Sequence, residues 1–242
     1  MWQVKLFRST REEGDPLEFR IDYIGNARSP VVVIENFWAD PQALIEHAAA
    51  RNDYSARSLY YPGIRSSAPP EYAHAITAQL RDLIRSTFDL QEDLVITDST
   101  FSLVMTPAEK LVPFQRVPHF DSVDMGRLAV LHYLCHPRHG GTSFYRHRST
   151  GLEVITEDVR DQYIRAVNAE VKTTGMPPAQ FIEGDTELFE RIGRYDAVFN
   201  RALIYRGSML HSVNTPPDFV PDPNPRTGRL TLNTFLLAGS VK

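Results

Sequence analysis

The chain has 242 residues, of which 42% are hydrophobic and 23% charged, and its formal net charge is −4. This composition is typical of a globular protein and excludes a disordered or collagen-like chain. The basic residues are scattered and the net charge is negative, so we expect no nucleic-acid partner. Cys135 is the only cysteine, which excludes an intrachain disulfide and a cluster of thiolate metal ligands.

The N-terminal segment MWQVKLFRSTREEGD has no long apolar core and no small-residue cleavage site, as a secretory signal would. The chain also contains no run of about 18 apolar residues that could span a membrane. We therefore expect a cytoplasmic protein without a membrane partner. Its length favours a single domain, and a homodimer is one assembly that the sequence allows.

The first part of the chain predicts short strands and two helices. The segments WQVKLFR and LEFRIDYI alternate apolar and polar residues, and VVVIENF is a continuous apolar run of the buried-strand type. Asp40 followed by Pro41 predicts the start of a helix, and a second amphipathic helix is predicted over residues 71–88. Between the helices lies a long irregular segment rich in Pro, Ser and Tyr, a type of loop that is often functional.

The character of the chain changes after Asp93, where short strand-like segments alternate with turns rich in Gly, Pro, Asn and Asp. A helical insertion over residues 157–192, broken near Gly175, is predicted to interrupt them. The predicted strands are LVITDSTFSLVMT, RLAVLHYLC, TSFYRH, YDAVFN, RALIYRG and RLTLNTFLLA.

This order of elements predicts an α+β fold with a double-stranded β-helix (jelly-roll) core, on whose outer face the helices pack. Residues 1–91 would form an N-terminal α/β support region, and residues 92–242 the β core. We expect the two parts to fold as one unit.

His119 and Asp121 in the segment RVPHFDS are the first candidates for a metal site. Side chains at positions i and i+2 of an extended segment point to the same side, so this imidazole and carboxylate could bind one ion. His211, at the end of a strand-like run, is the candidate for the third ligand. Two histidines and one carboxylate leave coordination positions open, an arrangement typical of non-haem iron(II) oxygenases.

Several segments follow this motif in an informative order. They are Tyr133-Leu134 at the end of a strand, Gly140-Gly141-Thr142-Ser143-Phe144, a Phe-containing strand before His211, and Arg229 at the start of the last strand. In this order, over roughly residues 97–237, the chain resembles the prolyl-4-hydroxylase-like branch of the Fe(II)/2-oxoglutarate-dependent dioxygenase superfamily. The connection between His211 and Arg229 is longer here than is usual in that family.

The resemblance implies that Fe(II) is the metal and that 2-oxoglutarate and molecular oxygen are co-substrates. Arg229 would bind the distal carboxylate of 2-oxoglutarate, with Arg226 as the competitor for this role and Tyr133 as a hydroxyl donor. Because Asp121 is retained, the resemblance implies a hydroxylase. The substrate would be a small molecule, an amino acid or a peptide.

The residues predicted to contact the substrate are Tyr61 and Arg65 in the long N-terminal loop, and Gln115, which would share the face of His119. Two alternatives stay open. One is a cupin-like metalloenzyme that does not use 2-oxoglutarate, although cupins usually carry an H-x-H pair. The other is a non-catalytic double-stranded β-helix that binds or regulates.

Overall fold

The computed structural model describes residues 18–56 and 61–239. The predicted strand WQVKLFR lies outside these residues. Three α-helices are present in the described ranges: α1 (Pro41–Ala49), α2 (Pro70–Phe88) and α3 (Glu157–Thr174). Ten strands accompany them: β1 (Phe19–Ile24), β2 (Ser29–Ile34), β3 (Gly63–Ser67), β4 (Leu94–Val104), β5 (Arg127–Tyr133), β6 (Gly141–His147), β7 (Phe189–Asp196), β8 (Ala202–Arg206), β9 (His211–Asn214) and β10 (Leu230–Ala238).

The strands form two sheets, and the recorded strand pairings are antiparallel. The large sheet has the order β1-β2-β8-β5-β10-β4-β3, and the small sheet has the order β7-β6-β9. Strands β1 to β3 therefore extend the large sheet at its two edges, so the residues before position 91 share a sheet with the later ones. The chain is a mixed α and β protein built on antiparallel sheets.

Alternation along the strands separates two apolar cores. Val32 and Ile34 of β2 face a core that contains buried residues of α1 and α2, whereas Val31 and Val33 face the small sheet. Helices α1 and α2 thus cover the outer face of the large sheet, as the sequence predicts, whereas Tyr163 of α3 packs against Tyr145 and Phe189 of the small sheet. The inner face of the large sheet meets Phe144 of β6, and this space between the sheets leads to the candidate site.

Both early helices begin where the sequence predicts, for identifiable reasons. The Asp40 side chain accepts a hydrogen bond of 2.9 Å from the backbone of Ala43 and caps α1, and Pro41 occupies the first helical position. Helix α2 places Ile76, Leu80 and other residues at helical spacing into the outer core. None of the helices in the described part of the chain has the length and apolar run needed to cross a bilayer.

Two predicted elements in the second half were wrong. The insertion predicted as helical over residues 157–192 is helical only in α3, which ends at Thr174, and Phe189–Asp196 is strand β7. Asp185, which lies in the same segment, accepts a hydrogen bond of 2.8 Å from the backbone of Arg191 in β7. The predicted strand YDAVFN ends at Asp196, because the chain turns there and Asn200 adopts a left-handed conformation with φ of 63°.

Candidate metal centre

His119 and His211 are brought together by their backbones. His211 is the first residue of β9, and it forms an isolated antiparallel bridge with His119 through two hydrogen bonds of 2.8 Å. Directly paired residues of an antiparallel bridge carry their side chains on the same side. The two imidazole rings accordingly lie 4.3 Å apart between centroids.

Asp121 reaches the same point from a loop. Its backbone N–H donates a hydrogen bond of 2.7 Å to the carbonyl of Gly207, which follows β8. A Cβ atom at position 207 would lie 3.3 Å from the Cβ of Asp121, so the missing side chain of glycine leaves room for the aspartate. The sequence predicts an extended strand for this H-x-D segment, whereas the structure has a loop with a single β-bridge at His119. The two side chains nevertheless approach the same point.

One ligand atom from each of His119, Asp121 and His211 lies within 4.8 Å of the others, a grouping that could hold a metal ion. The carboxylate is 3.7 Å from Nε2 of His119 and 3.5 Å from Nε2 of His211. The exposed fraction of the side chain falls from 46% for His119 through 19% for Asp121 to 6% for His211. His119 is therefore the accessible side of the group, and His211 is its buried side.

The tautomer of His211 follows from its hydrogen bond. Its Nδ1 lies 2.8 Å from the carbonyl oxygen of Met209, which can only accept, so Nδ1 carries the proton. This leaves the lone pair of Nε2 free and directed toward Asp121. Metal-binding histidines are commonly oriented in this way by a hydrogen bond from the other ring nitrogen.

Enclosure by the cavity walls lowers the pKa of His119 to about 4, and the neighbouring His211 adds to the effect. The accessible 46% of its side-chain surface lines the cavity. The imidazole is therefore neutral near pH 7 and can offer a lone pair to a metal ion. Two imidazoles and one carboxylate form a donor set of mixed nitrogen and oxygen atoms, which suits Fe(II).

The three side chains line a cavity of about 740 Å³ between the two sheets. The inner face of the last strand contributes alternate residues to its wall, namely Thr231, Asn233 and Phe235. Helix α3 contributes Tyr163 and Ile164 on the opposite side. A volume of this order is typical of sites for small molecules.

Arg229 lines the cavity, is 2% exposed and lies one residue before β10. Two of its N–H groups donate to main-chain carbonyls, at 3.1 Å to His139 and 2.7 Å to Gly141. No carboxylate of the described residues pairs with it. Arg226, the competitor, is half exposed on the surface and forms an ion pair with Glu46. Of the two arginines, only Arg229 is placed where a ligand in the cavity could meet it.

Tyr133 stands behind the cavity wall. Its hydroxyl donates a hydrogen bond of 2.7 Å to the hydroxyl of Thr142, and Thr142 lines the cavity. The side chain of Tyr133 is completely buried, and burial raises its pKa above the usual range. Direct contact with a co-substrate, as the sequence suggests, would need Tyr133 to give up this bond. Thr142 is the group that the structure presents to the cavity.

The three predicted substrate contacts divide into two groups. Tyr61 and Arg65 line the cavity, with the Arg65 guanidinium carbon 4.3 Å from the centre of the Tyr61 ring. Gln115 is not among the cavity residues, and its side-chain carbonyl accepts a hydrogen bond from the backbone of Val112. The alternation that placed Gln115 beside His119 fails because Pro113–Gln115 forms a 3-10 turn.

Sequence reasoning missed several cavity residues, among them Asp98, Arg127, Thr142, Thr231 and Asn233. Alternation along the last strand from Arg229 would have found Thr231 and Asn233, because residues two apart share a face. Asp98 and Arg127 needed the strand order of the large sheet, which sequence patterns do not supply.

Residues 16–236 match a protein family that is described as a family of unknown function, DUF6445. The chain belongs to this family. The match covers most of the DUF6445 chain, including the three candidate ligands. No curated protein matches the chain in sequence.

Solved structures with a similar fold have little sequence identity to the DUF6445 chain. The non-haem α-ketoglutarate-dependent epimerase SnoN of nogalamycin biosynthesis is 13% identical, with a TM-score of 0.52 over 87% of this chain and 78% of that chain. The carbocyclase SnoK of the same biosynthesis is 11% identical, with a TM-score of 0.49 over 87% and 80%. HygX from Streptomyces hygroscopicus, solved with nickel and 2-oxoglutarate bound, is 12% identical, with a TM-score of 0.46 over 87% and 83%. The similarity to SnoN supports a shared fold.

Proposed function

We propose that this DUF6445 chain is an Fe(II)- and 2-oxoglutarate-dependent oxygenase with a double-stranded β-helix core. The observation that carries the proposal is the convergence of His119, Asp121 and His211 on one point at the wall of the cavity. A set of two imidazoles and one carboxylate leaves open coordination positions for further ligands. The fold shared with SnoN, itself described as α-ketoglutarate-dependent, agrees with this proposal.

The residues around the candidate ligands fit 2-oxoglutarate. This co-substrate carries two carboxylates, and the distal one needs a positive group away from the metal. Arg229 supplies a buried guanidinium without a carboxylate partner, and a guanidinium can bind a carboxylate through two parallel hydrogen bonds. The hydroxyls of Thr231 and Thr142 line the same cavity and can add hydrogen bonds to it.

Each protein group has a defined task in this proposal. His211 is held by the Met209 carbonyl so that Nε2 faces the metal position, and Asp121 is held by the Gly207 carbonyl. When bound, iron and 2-oxoglutarate supply the oxidising chemistry, in which O₂ is consumed and 2-oxoglutarate becomes succinate and carbon dioxide. Tyr163 and Phe120, which contact each other beside the ligands, restrict the access of water from the side of α3.

The finer assignments are also proposals. Hydroxylation of a small molecule, an amino acid or a peptide, and membership of the prolyl-4-hydroxylase-like branch, rest on the motif order described above. The name of SnoN shows that epimerisation occurs on a similar fold. The retained carboxylate of Asp121 favours hydroxylation over halogenation. A cytoplasmic location and a homodimeric state stay predictions.

The proposal is tested by adding Fe(II) and 2-oxoglutarate to the protein without oxygen and recording the visible spectrum. We expect a weak charge-transfer band from the metal chelate in the wild type and in the control His136→Ala, whose exposed imidazole lies outside the cavity. Asp121→Ala and His211→Ala should not form the band. A wild type that binds Fe(II) but never forms the band would support a cupin-like metalloenzyme and contradict the proposal.

A further inference from the structure

The cavity contains a second polar region that the proposed function does not use. We call it the Phe235 patch, and it consists of Phe235, Asn233, Asp98 and Arg127. All four residues line the cavity. Three of them carry polar or charged groups, which is unusual for the space between two apolar sheet faces.

Strand register fixes the arrangement of the Phe235 patch. Asp98 of β4 is directly opposite Phe235 of β10, and Asn233 lies two residues earlier on the same face. On the other side, Phe235 is opposite Ala129 of β5, and Arg127 lies two residues before Ala129. The guanidinium carbon of Arg127 is 5.2 Å from the centre of the Phe235 ring. Arg127 and Asp98 therefore flank this ring from two different strands.

The polar atoms of the Phe235 patch have few partners. Nε of Arg127 and Oδ1 of Asn233 are buried, and neither has a hydrogen-bond partner. Within the described residues, no ion pair within 4.0 Å joins Arg127 or Asp98 to any charged group, including each other. A buried donor or acceptor without a partner destabilises the fold. A polar ligand that satisfies these atoms would remove that cost.

A single 2-oxoglutarate cannot occupy both ends of the cavity. Arg229 precedes β10, whereas Arg127 pairs with Leu237 near the end of that strand. At about 3.3 Å per residue, roughly 26 Å of strand separates the two backbone positions. The charge of Arg127 therefore stays available for the substrate when Arg229 holds the co-substrate.

The opposite wall of the cavity is apolar and partly open. Ile164 of α3 is 43% exposed and Phe114 is 41% exposed, and both line the cavity together with Val167. Exposed apolar side chains that share one cavity wall are typical of a surface that receives an apolar ligand.

We propose that the substrate is a free α-amino acid with an apolar side chain. Arg127 binds its carboxylate, Asp98 and the carbonyl oxygen of Asn233 accept hydrogen bonds from its ammonium group, and the apolar wall receives its side chain. A residue within a peptide chain has neither a free α-carboxylate nor a free α-ammonium group. Recognition of both groups therefore favours a free amino acid. That this amino acid is the substrate rests on the proposed function, whereas its binding to the Phe235 patch can be measured separately.

Calorimetry with Co(II)- and 2-oxoglutarate-loaded protein tests this inference without turnover. The probes are L-leucine, L-isoleucine, L-phenylalanine and L-methionine, together with two analogues of leucine: leucinamide, which lacks the carboxylate, and 4-methylpentanoate, which lacks the ammonium group. We expect at least one amino acid to bind the wild type and both analogues to bind it more weakly.

Two variants test which side chain binds the carboxylate of the amino acid and which binds its ammonium group. Arg127→Met should weaken binding of the amino acid about 10- to 100-fold, and Asp98→Asn should weaken it by a similar factor. Arg127→Met should leave the affinity for leucinamide unchanged, and Asp98→Asn should leave the affinity for 4-methylpentanoate unchanged. A matched control is Arg138→Met, which removes an exposed guanidinium outside this cavity.

Binding of none of the four amino acids to the wild type would overturn the inference, as would wild-type affinity in both variants. The Fe(II) and 2-oxoglutarate band is recorded for the same preparations. A normal band without amino-acid binding refutes the Phe235 patch alone. Amino-acid binding without a band in the wild type refutes the oxygenase and leaves the patch in place.

Discussion

Arg229 and Arg226 are three residues apart in the sequence, yet the fold gives them different surroundings. Arg229 is buried beside the cavity, and Arg226 is paired with Glu46 on the surface. We expect Arg229→Lys to weaken 2-oxoglutarate binding about 10- to 100-fold, because lysine keeps the charge and loses the planar pair of donors. Arg226→Lys, measured by the same titration of metal-loaded protein, should bind like the wild type. Equal affinities in both variants would remove Arg229 from the proposed role.

The lowered pKa of the buried His132 makes the stability of the fold depend on pH. It is completely buried between Tyr72 and Asn200, and burial lowers its pKa from 6.5 to about 4. The unfolded chain binds this proton near pH 6.5, so stability that is complete above pH 6.5 is lost as the pH falls toward 4. The loss from this group amounts to about 3 kcal/mol.

His132→Gln removes that titration, so its free energy of unfolding should fall less than that of the wild type between pH 6.5 and pH 4. Urea unfolding at several pH values measures the difference. The control His74→Gln, at an exposed position of α2, should retain the wild-type slope. An unchanged pH dependence in His132→Gln would show that this histidine does not titrate as its burial requires.

At the scale of the elements, the loop between β8 and β9 positions one ligand of the candidate centre. Gly207 in this loop accepts the backbone hydrogen bond of Asp121 and leaves room for its side chain. A methyl group at Gly207 would approach the Cβ of Asp121 to 3.3 Å and displace it by a few tenths of an ångström. We expect Gly207→Ala to weaken Co(II) binding about tenfold, since groups that orient a ligand typically contribute 10- to 100-fold to affinity. Gly239→Ala, where an added Cβ meets nothing within 4 Å, is the matched control. Unchanged Co(II) affinity in Gly207→Ala would show that this loop does not position Asp121 for a metal.

The helices and most strands of the described chain could be predicted because their signals are local. Asp40 with Pro41 determines the start of α1, and apolar spacing determines α2. The segment that contains β7 could not be predicted from such signals, because Phe189–Asp196 becomes a strand through pairing with β6. The turn at Pro113–Gln115 likewise broke an alternation that the sequence alone suggests.

At the scale of the whole molecule, the strand order determines which distant residues meet. The sequence predicts His119, Asp121 and His211 as one group because their spacing and order resemble a known family, and the structure brings them within 4.8 Å. It does not predict the Phe235 patch, whose members come from β4, β5 and β10 and become neighbours only in the assembled sheet. Alternation along a strand predicts that residues two positions apart share a face, but it does not predict which residues of different strands become neighbours.

The central claim is that these three side chains bind one metal ion. The most direct test is a crystal soaked anaerobically with Fe(II), with anomalous diffraction recorded at the iron absorption edge. We predict one strong anomalous peak within about 2.0–2.3 Å of Nε2 of His119, Nε2 of His211 and a carboxylate oxygen of Asp121. A fully soaked crystal without a peak at this point, or with iron bound elsewhere, would contradict the account.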